Sequence, residues 1–275
     1  MGKTLNKIGL IISDNHSGHH VGLTPPDWWN EIPKDNPRQK AICTVQRELW
    51  GWYASTIKSI RKEFGRPDFV LHAGDGIDGK GERSGGTEQK TADRLEQAEM
   101  AGNALNIIEA PAFYMAYGTG YHVGLTEDFE KTIRKHTKAD HFEIGGHLFL
   151  NVNGCIVDLK HFIGNSSIPH GRFTALAKDK LWNDMWHKEH ELQPESNLLI
   201  RGHVHEDKYC GSWSGGWMGL TCPALCGFGS KFGVRICSGT VSIGMIVAEF
   251  DSQGRYRLTP FLADLPHMKV RVSKV

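Results

Sequence analysis

The chain has 275 residues, 39% hydrophobic and 23% charged, with a formal net charge of +1, an ordinary balance for a soluble globular protein able to bury a core. No basic run exceeds a few residues, so bulk charge gives no sign of a nucleic-acid-binding surface. The apolar stretch within MGKTLNKIGLIISD is too short for a membrane span and lacks a small-residue cleavage site, so no membrane association and a cytoplasmic location are expected.

Taken in chain order, Ile8 to Ser13 reads as a short buried strand. An inserted loop follows at about 17–37, rich in proline and carrying the paired Trp28 and Trp29. These rings read either as a lid or stacking platform for a base or as a small satellite core. Arg38 to Phe64 has helical spacing in Ala41, Val45, Leu49, Trp52, Ile57 and Ile60, with Gly65 as its C-cap. Phe69 to Ala73 is the second strand, and Lys80 to Gly86 is a glycine-rich loop. Thr87 is expected to cap a second helix running to about Ile108, and Thr126 a third running to about His136, with the strand Phe113 to Tyr117 between them.

The pattern then changes, because LFLNV and CIVDL flank Asn153-Gly154, a strong signal for a two-residue hairpin turn. A helix is expected from Arg172 to about Glu191, a strand over Leu198 to Arg201, a hairpin turn within Gly211 to Gly219, and tail strands over Val241 to Phe250 and Tyr256 to Phe261. The expected fold is a single mixed α/β domain over residues 1–275, built from two packed sheets. Six cysteines (Cys43, Cys155, Cys210, Cys222, Cys226, Cys237) do not make a disulfide scaffold in a chain this long, and their spacing fits no standard zinc pattern.

Five strands deliver a polar cluster at the carboxyl end, where ligand crevices form in α/β sheets. Asp14 and His16 project to one side and could share a cation, or could be a loop cap and a surface histidine. Asp75 follows Gly74, which permits close approach of the backbone, although Gly-Asp-Gly is also a turn sequence. Gly120-Tyr121-His122 and His161 end two further strands. Gly202-His203-Val204-His205 is the sharpest, since two imidazoles one residue apart after a strand suit a metal. The chain has 15 histidines, and the ten outside these clusters read as surface or capping residues.

Taken together, D-x-H, G-D-x-x-D, G-x-H, a lone His and G-H-x-H in this order resemble the calcineurin-like metallophosphoesterase superfamily, from Asp14 to His205. The resemblance implies a four-layer α/β/β/α sandwich of two mixed sheets with a dinuclear metal site. It implies Asp14, His16 and His205 on one ion, His161 and His203 on the other, and Asp75 bridging. His122 would protonate the leaving oxygen, with Asp78 orienting its ring, and a metal-bound hydroxide would attack the phosphorus. Two divalent ions are expected, Mn2+ by resemblance, with Fe, Zn, Ni or Co also suited to Asp and His donors.

Two positions depart from the family pattern. Tyr121 stands where an asparagine usually completes the second ion, so Tyr121, Thr119 or water would fill that place. Asp78 is followed by Gly79 rather than by the arginine that grips a phosphomonoester, although Lys80 or Arg83 could substitute. The expected activity is therefore a phosphodiesterase acting on nucleic acid or nucleotides. The alternatives are a metal-binding scaffold with reduced catalysis, or a phosphomonoesterase.

Overall fold

The computed structural model describes residues 6–124, 128–166, 168, 171–189, 191–212, 215–228 and 241–266. Thr126, Cys237 and the side chain of Arg83 lie outside the described residues.

Strand β1 (Lys7–Ile12) pairs in parallel with β2 (Phe69–His72), β2 with β3 (Ala112–Ala116), and β3 with β4 (His141–Gly145). On the other side of β1, β10 (Gly244–Phe250) and β11 (Tyr256–Leu262) add antiparallel, giving the order β11-β10-β1-β2-β3-β4. The second sheet runs β5-β6-β7-β9-β8, from Leu148–Val152, Cys155–Lys160, Leu198–Arg201, Trp217–Thr221 and Lys208–Ser212 respectively. Both sheets are mixed, as expected.

Alternation along the strands assigns the layers. Leu10, Ile12, Val70, Phe113 and Met115 pack with Leu49, Tyr53, Ala98 and Ala101 from helices α1 (Pro37–Phe64) and α2 (Arg94–Asn106). Ile11, Phe69 and Leu71 point the other way and meet Val157, Leu159, Leu198 and Ile200 of the second sheet. Helix α3 (Thr174–Lys188) covers the far face of that sheet, with Leu176 against Gly219. The result is α/β/β/α, the architecture that the resemblance implied.

Helix α1 starts where Asn36 accepts from Gln39 N at 3.0 Å and ends at Gly65, as its sequence predicts. Tyr53 donates to Ala104 O at 2.9 Å and ties α1 to α2. The second helix starts later than expected. Asp93, not Thr87, caps it by accepting from Leu95 N at 2.8 Å. The residues between are committed elsewhere, since His20 N donates to Glu88 O and Lys90 N to Gly18 O, at 2.8 and 2.7 Å. The third expected helix is a 3-10 helix over Phe129–His136. Asn153 (φ 54°) and Gly154 (φ 102°) form the two-residue hairpin turn joining β5 to β6. Ser17 to Pro25 of the inserted segment is buried except at His20. Beyond it Trp29 donates to Thr24 O at 3.0 Å, with the Arg47 guanidinium 4.8 Å from its ring centroid, the satellite packing.

One ion pair anchors the far layer. Arg201, 2% exposed at the end of β7, donates to Asp158 at 2.7 Å and to Asp179 of α3 at 2.9 Å. His147 adds a 2.8 Å contact to Asp158. Burial opposes ionisation of Asp158, but Arg201 and His147 hold it down to about 2. Since the unfolded carboxyl titrates near about 3.9, its stabilising effect is full above that value and is lost as the pH falls to about 2. Asp158→Asn should therefore cost about 3 kcal/mol in urea unfolding at neutral pH. The gap to the unsubstituted chain should narrow as the pH drops from about 4 to about 2, and a gap that ignores pH there would exclude this pairing as its source.

Candidate metal centre

The carboxyl ends of β1, β2, β3, β6 and β7 meet at one edge of the sandwich. Asp14 N donates to Gly74 O at 2.9 Å and His16 N to Asp75 O at 3.0 Å, which zips the turns after β1 and β2 together. Across the sheets, His161 Nδ1 donates to Ala73 O at 2.6 Å, while within the second sheet Gly202 N donates to His161 O at 2.9 Å. The approach is close enough to require glycine. A Cβ on Gly74 (φ 92°) would lie 2.7 Å from His161 Nδ1, and one on Gly202 would lie 2.4 Å from Ser13 Oγ.

Asp14, His16, Asp75, His203 and His205 all have positive φ, between 44° and 72°. Left-handed backbone is uncommon outside glycine and costs on the order of 1 kcal/mol or more per residue. Among the described residues only four other non-glycine positions share it, so the strain is concentrated on residues the sequence marks as ligands.

Among the described residues, three sets of Asp and His donors lie close enough to share a cation: Asp14, His16 and His205; Asp75, His161 and His203; and His16, Asp78 and His122, which shares His16 with the first. In the first, His205 Nε2 lies 3.2 Å from Asp14 Oδ1 and 3.1 Å from His16 Nε2. His16 Nδ1 donates to Asp78 Oδ1 at 2.9 Å, which turns its Nε2 lone pair towards His205. Asp14 Oδ1 is buried with no hydrogen-bond partner. Two imidazole nitrogens and an orphaned carboxylate oxygen around one point are the donors a divalent ion takes.

In the second group, His161 Nε2 lies 3.1 Å from Asp75 Oδ2, with His203 beside it. Thr119 enters here. Its Oγ1 is 3.1 Å from His161 Nε2, 3.2 Å from His203 Nδ1 and 3.4 Å from Asp75 Oδ2, while its N–H donates to Asp75 Oδ1 at 2.7 Å. Of the candidates for the missing asparagine, Thr119 thus touches all three members of the group. Tyr121 instead lies edge-on to His122, ring centroids 4.8 Å apart.

His122 stands beside the first group, its ring 4.7 Å from that of His16. Its Nδ1 donates to the main-chain oxygen of Asp78 at 2.8 Å, with the carboxylate 3.4 Å away. Asp78 therefore orients His122 largely through its backbone and gives its carboxylate to His16, a sharing that sequence could not show. Burial would lower His122, but Asp78 and Asp75 outweigh it and push the imidazole up to about 9. Burial would raise Asp14 and Asp75, yet their histidine partners hold both below the usual carboxylate range, Asp75 at about 2. Against its own burial, His161 is raised to about 10 by Asp75.

Sequence reasoning missed the residues that hold the ligands in place. Glu130 is fully buried and accepts from Gly76 N at 2.6 Å and Gly118 N at 2.7 Å, bracing the loops on either side of Asp75. Burial, then Asp75, pushes its carboxyl up to about 8. Gln97 of α2 accepts from Asp78 N and Gly79 N at 3.2 and 2.7 Å, and Gln89 donates to the Asp78 carboxylate. Glu130 lies within FEKTIRKH, whose charges read as a solvated face, so no pattern singles it out. Lys80 is exposed on the loop after Asp78 and makes no hydrogen bond or ion pair among the described residues. His72 and His19 are buried, and their Nδ1 atoms accept from Gly74 N and Val21 N, each at 3.1 Å, which makes them turn-capping residues. No cysteine joins a candidate metal group among the described residues, and no described helix is long and apolar enough to cross a membrane.

No family model and no curated protein matches the chain. Among solved structures it is similar to zinc-complexed Vps29 from Entamoeba histolytica, at 16% identity over 93% of this chain and 98% of that one, with a TM-score of 0.40. A conserved protein from Streptococcus pneumoniae described as a predicted phosphoesterase matches at 10% identity, over 94% and 98%, with a TM-score of 0.35. The sulfate thiohydrolase SoxB from Thermus thermophilus matches at 11% identity and a TM-score of 0.41, over 95% of this chain but 57% of SoxB. At these identities and scores the chemistry is read from the side chains alone.

Glu130→Gln keeps the shape but replaces one accepting oxygen with an NH2 group, leaving the N–H of Gly76 or Gly118 without its acceptor. The expected loss is about 1–3 kcal/mol in urea unfolding, and an unchanged midpoint would show that Glu130 does not brace the centre.

Proposed function

We propose that this chain is a metal-dependent phosphoester hydrolase, most simply a phosphodiesterase acting on nucleic acid or nucleotides. The observation that carries the reading is the pair of adjacent Asp/His groups with His122 poised beside them. Asp14, His16 and His205 would hold one divalent ion, and Asp75, His161 and His203 a second, with Thr119 supplying the oxygen that the absent asparagine would give. The resemblance assigns Asp75 to both ions. When bound, such ions supply Lewis acidity and make water nucleophilic near neutral pH. Mn2+ suits this mixture of hard carboxylate and borderline imidazole donors.

The chain's own groups account for the remaining steps. Asp78 fixes the ring of His122 through Nδ1, leaving Nε2 as the atom that hands a proton to the departing oxygen. The Asp78 and Asp75 carboxylates beside the ring favour its protonated form. Buried Asp14 and Asp75 stay ionised and so remain available as ligands. The absence of an arginine after Asp78 and the exposure of Lys80 favour a diester over a doubly charged monoester. A cytoplasmic setting belongs to the same proposal and agrees with the free thiols of Cys43, Cys155, Cys210, Cys222 and Cys226. A scaffold without turnover is the second reading, favoured by the hydroxyl of Thr119 at the place of an amide ligand.

The two readings separate on hydrolysis of bis-p-nitrophenyl phosphate and p-nitrophenyl phosphate by metal-stripped protein re-supplied with Mn2+. Metal-dependent diester turnover is expected, with His122→Ala lowering kcat by about 10²-fold or more; no turnover of either ester despite bound Mn2+ would make the scaffold reading the better one. Thr119→Val, which removes only the hydroxyl function, should lower Mn2+ content from about two ions per chain towards about one by elemental analysis. Thr119→Asn should keep both, and unaltered content in the valine variant would remove Thr119 as a ligand.

A further inference from the structure

Phe162 follows His161 and is 57% exposed, although the chain buries most of its large apolar side chains. A single exposed phenylalanine needs no explanation in itself. Its position is what distinguishes it. The ring centroid lies 5.0 Å from that of His203, at an interplanar angle of 41°. His203 is in turn 5.3 Å from His161. The backbone at residue 161 is pinned by the bond of His161 Nδ1 to Ala73 O and by Gly202 N donating to His161 O. The phenyl ring is thus carried on a fixed stem at the rim of the second group, leaning on a candidate ligand while much of its surface faces solvent.

On the side of the first group, the corresponding place is taken by His122, a proton donor by the reading above. A diester has two substituents. If the departing oxygen faces His122, the retained one is directed towards the second group, beside which Phe162 offers an apolar face. Trp29 of the inserted segment is less suited, since its indole N–H is bonded to Thr24 O and Arg47 lies over its ring.

We infer that Phe162 determines substrate specificity by stacking on a nucleobase carried by the phosphodiester bound at the Asp/His centre; this rests on the hydrolase reading. A base presents a flat face to an aromatic ring whatever its sequence, so the selection is for nucleoside-bearing diesters as a class.

The test compares two diesters with a common p-nitrophenolate leaving group, one carrying thymidine and the other ethyl, using full-length protein loaded with Mn2+. Phe162→Ala should raise KM for the thymidine ester about ten-fold, from loss of one stacking contact. The ethyl ester should change by less than about two-fold, and Phe162→Trp should restore the thymidine KM. Mn2+ affinity measured by calorimetry should be the same in all three proteins. A KM unchanged for both esters, a rise shared equally by both, or weakened Mn2+ binding would overturn the inference, the last two by showing that Phe162 only supports His203. If the unsubstituted chain binds Mn2+ but hydrolyses neither ester, the hydrolase reading itself fails and this inference with it.

Discussion

The hydrogen bond from His161 Nδ1 to Ala73 O, 2.6 Å long, spans the two sheets at the edge where the candidate ligands collect. It does two things at once. It holds the end of β6 against the end of β2, and it commits Nδ1 as a donor so that Nε2 must face Asp75. So close a contact is possible only because Gly74 and Gly202 leave out the side chains that would fill the gap. Behind it, the layer formed by Ile11, Leu71, Val157, Leu159 and Ile200 sets how the sheets sit on one another. The position of the centre is thus a consequence of core packing.

Strain and support are arranged around that contact. Five candidate ligands sit in left-handed backbone, which a free loop would relax. They are held because their turns are bonded to each other and because Glu130 and Gln97, both fully buried, satisfy the N–H groups that these turns leave unpaired. The loss of either buried acceptor would leave an N–H unpaired beside the candidate ligands.

The same economy appears in the polar side chains. Asp78 serves His16 with its carboxylate and His122 with its carbonyl, coupling a candidate ligand to the candidate proton donor. Thr119 serves Asp75 with its N–H and the second histidine pair with its hydroxyl. A cation among these groups would meet two imidazoles, those of His16 and His161, whose Nδ1 atoms are already committed as donors to Asp78 and Ala73 O on their far sides.

Much of this was legible in the sequence. Apolar runs marked β1, β2, β3, β5, β6, β7 and the two tail strands, Asn153-Gly154 marked the hairpin, and Gly65 ended the first helix, because each depends on local sterics and periodicity, whereas β4, with only Phe142 and Ile144 as large apolar residues in HFEIG, was not singled out. The ligand candidates Asp14, His16, Asp75, His161, His203 and His205 stood out for the same reason: each lies within four residues after the end of a strand. What the sequence could not determine were contacts between distant segments. The segment after Thr87 looks like the start of a helix, but its backbone bonds to the inserted loop, and the cap moves to Asp93. Glu130 reads as a surface charge until the fold buries it, and Thr119 rather than Tyr121 meets the second group because the β3 turn places it there. Periodicity and turn chemistry act within a few residues and are written in the chain, whereas which polar atom completes a site depends on how two sheets close on each other.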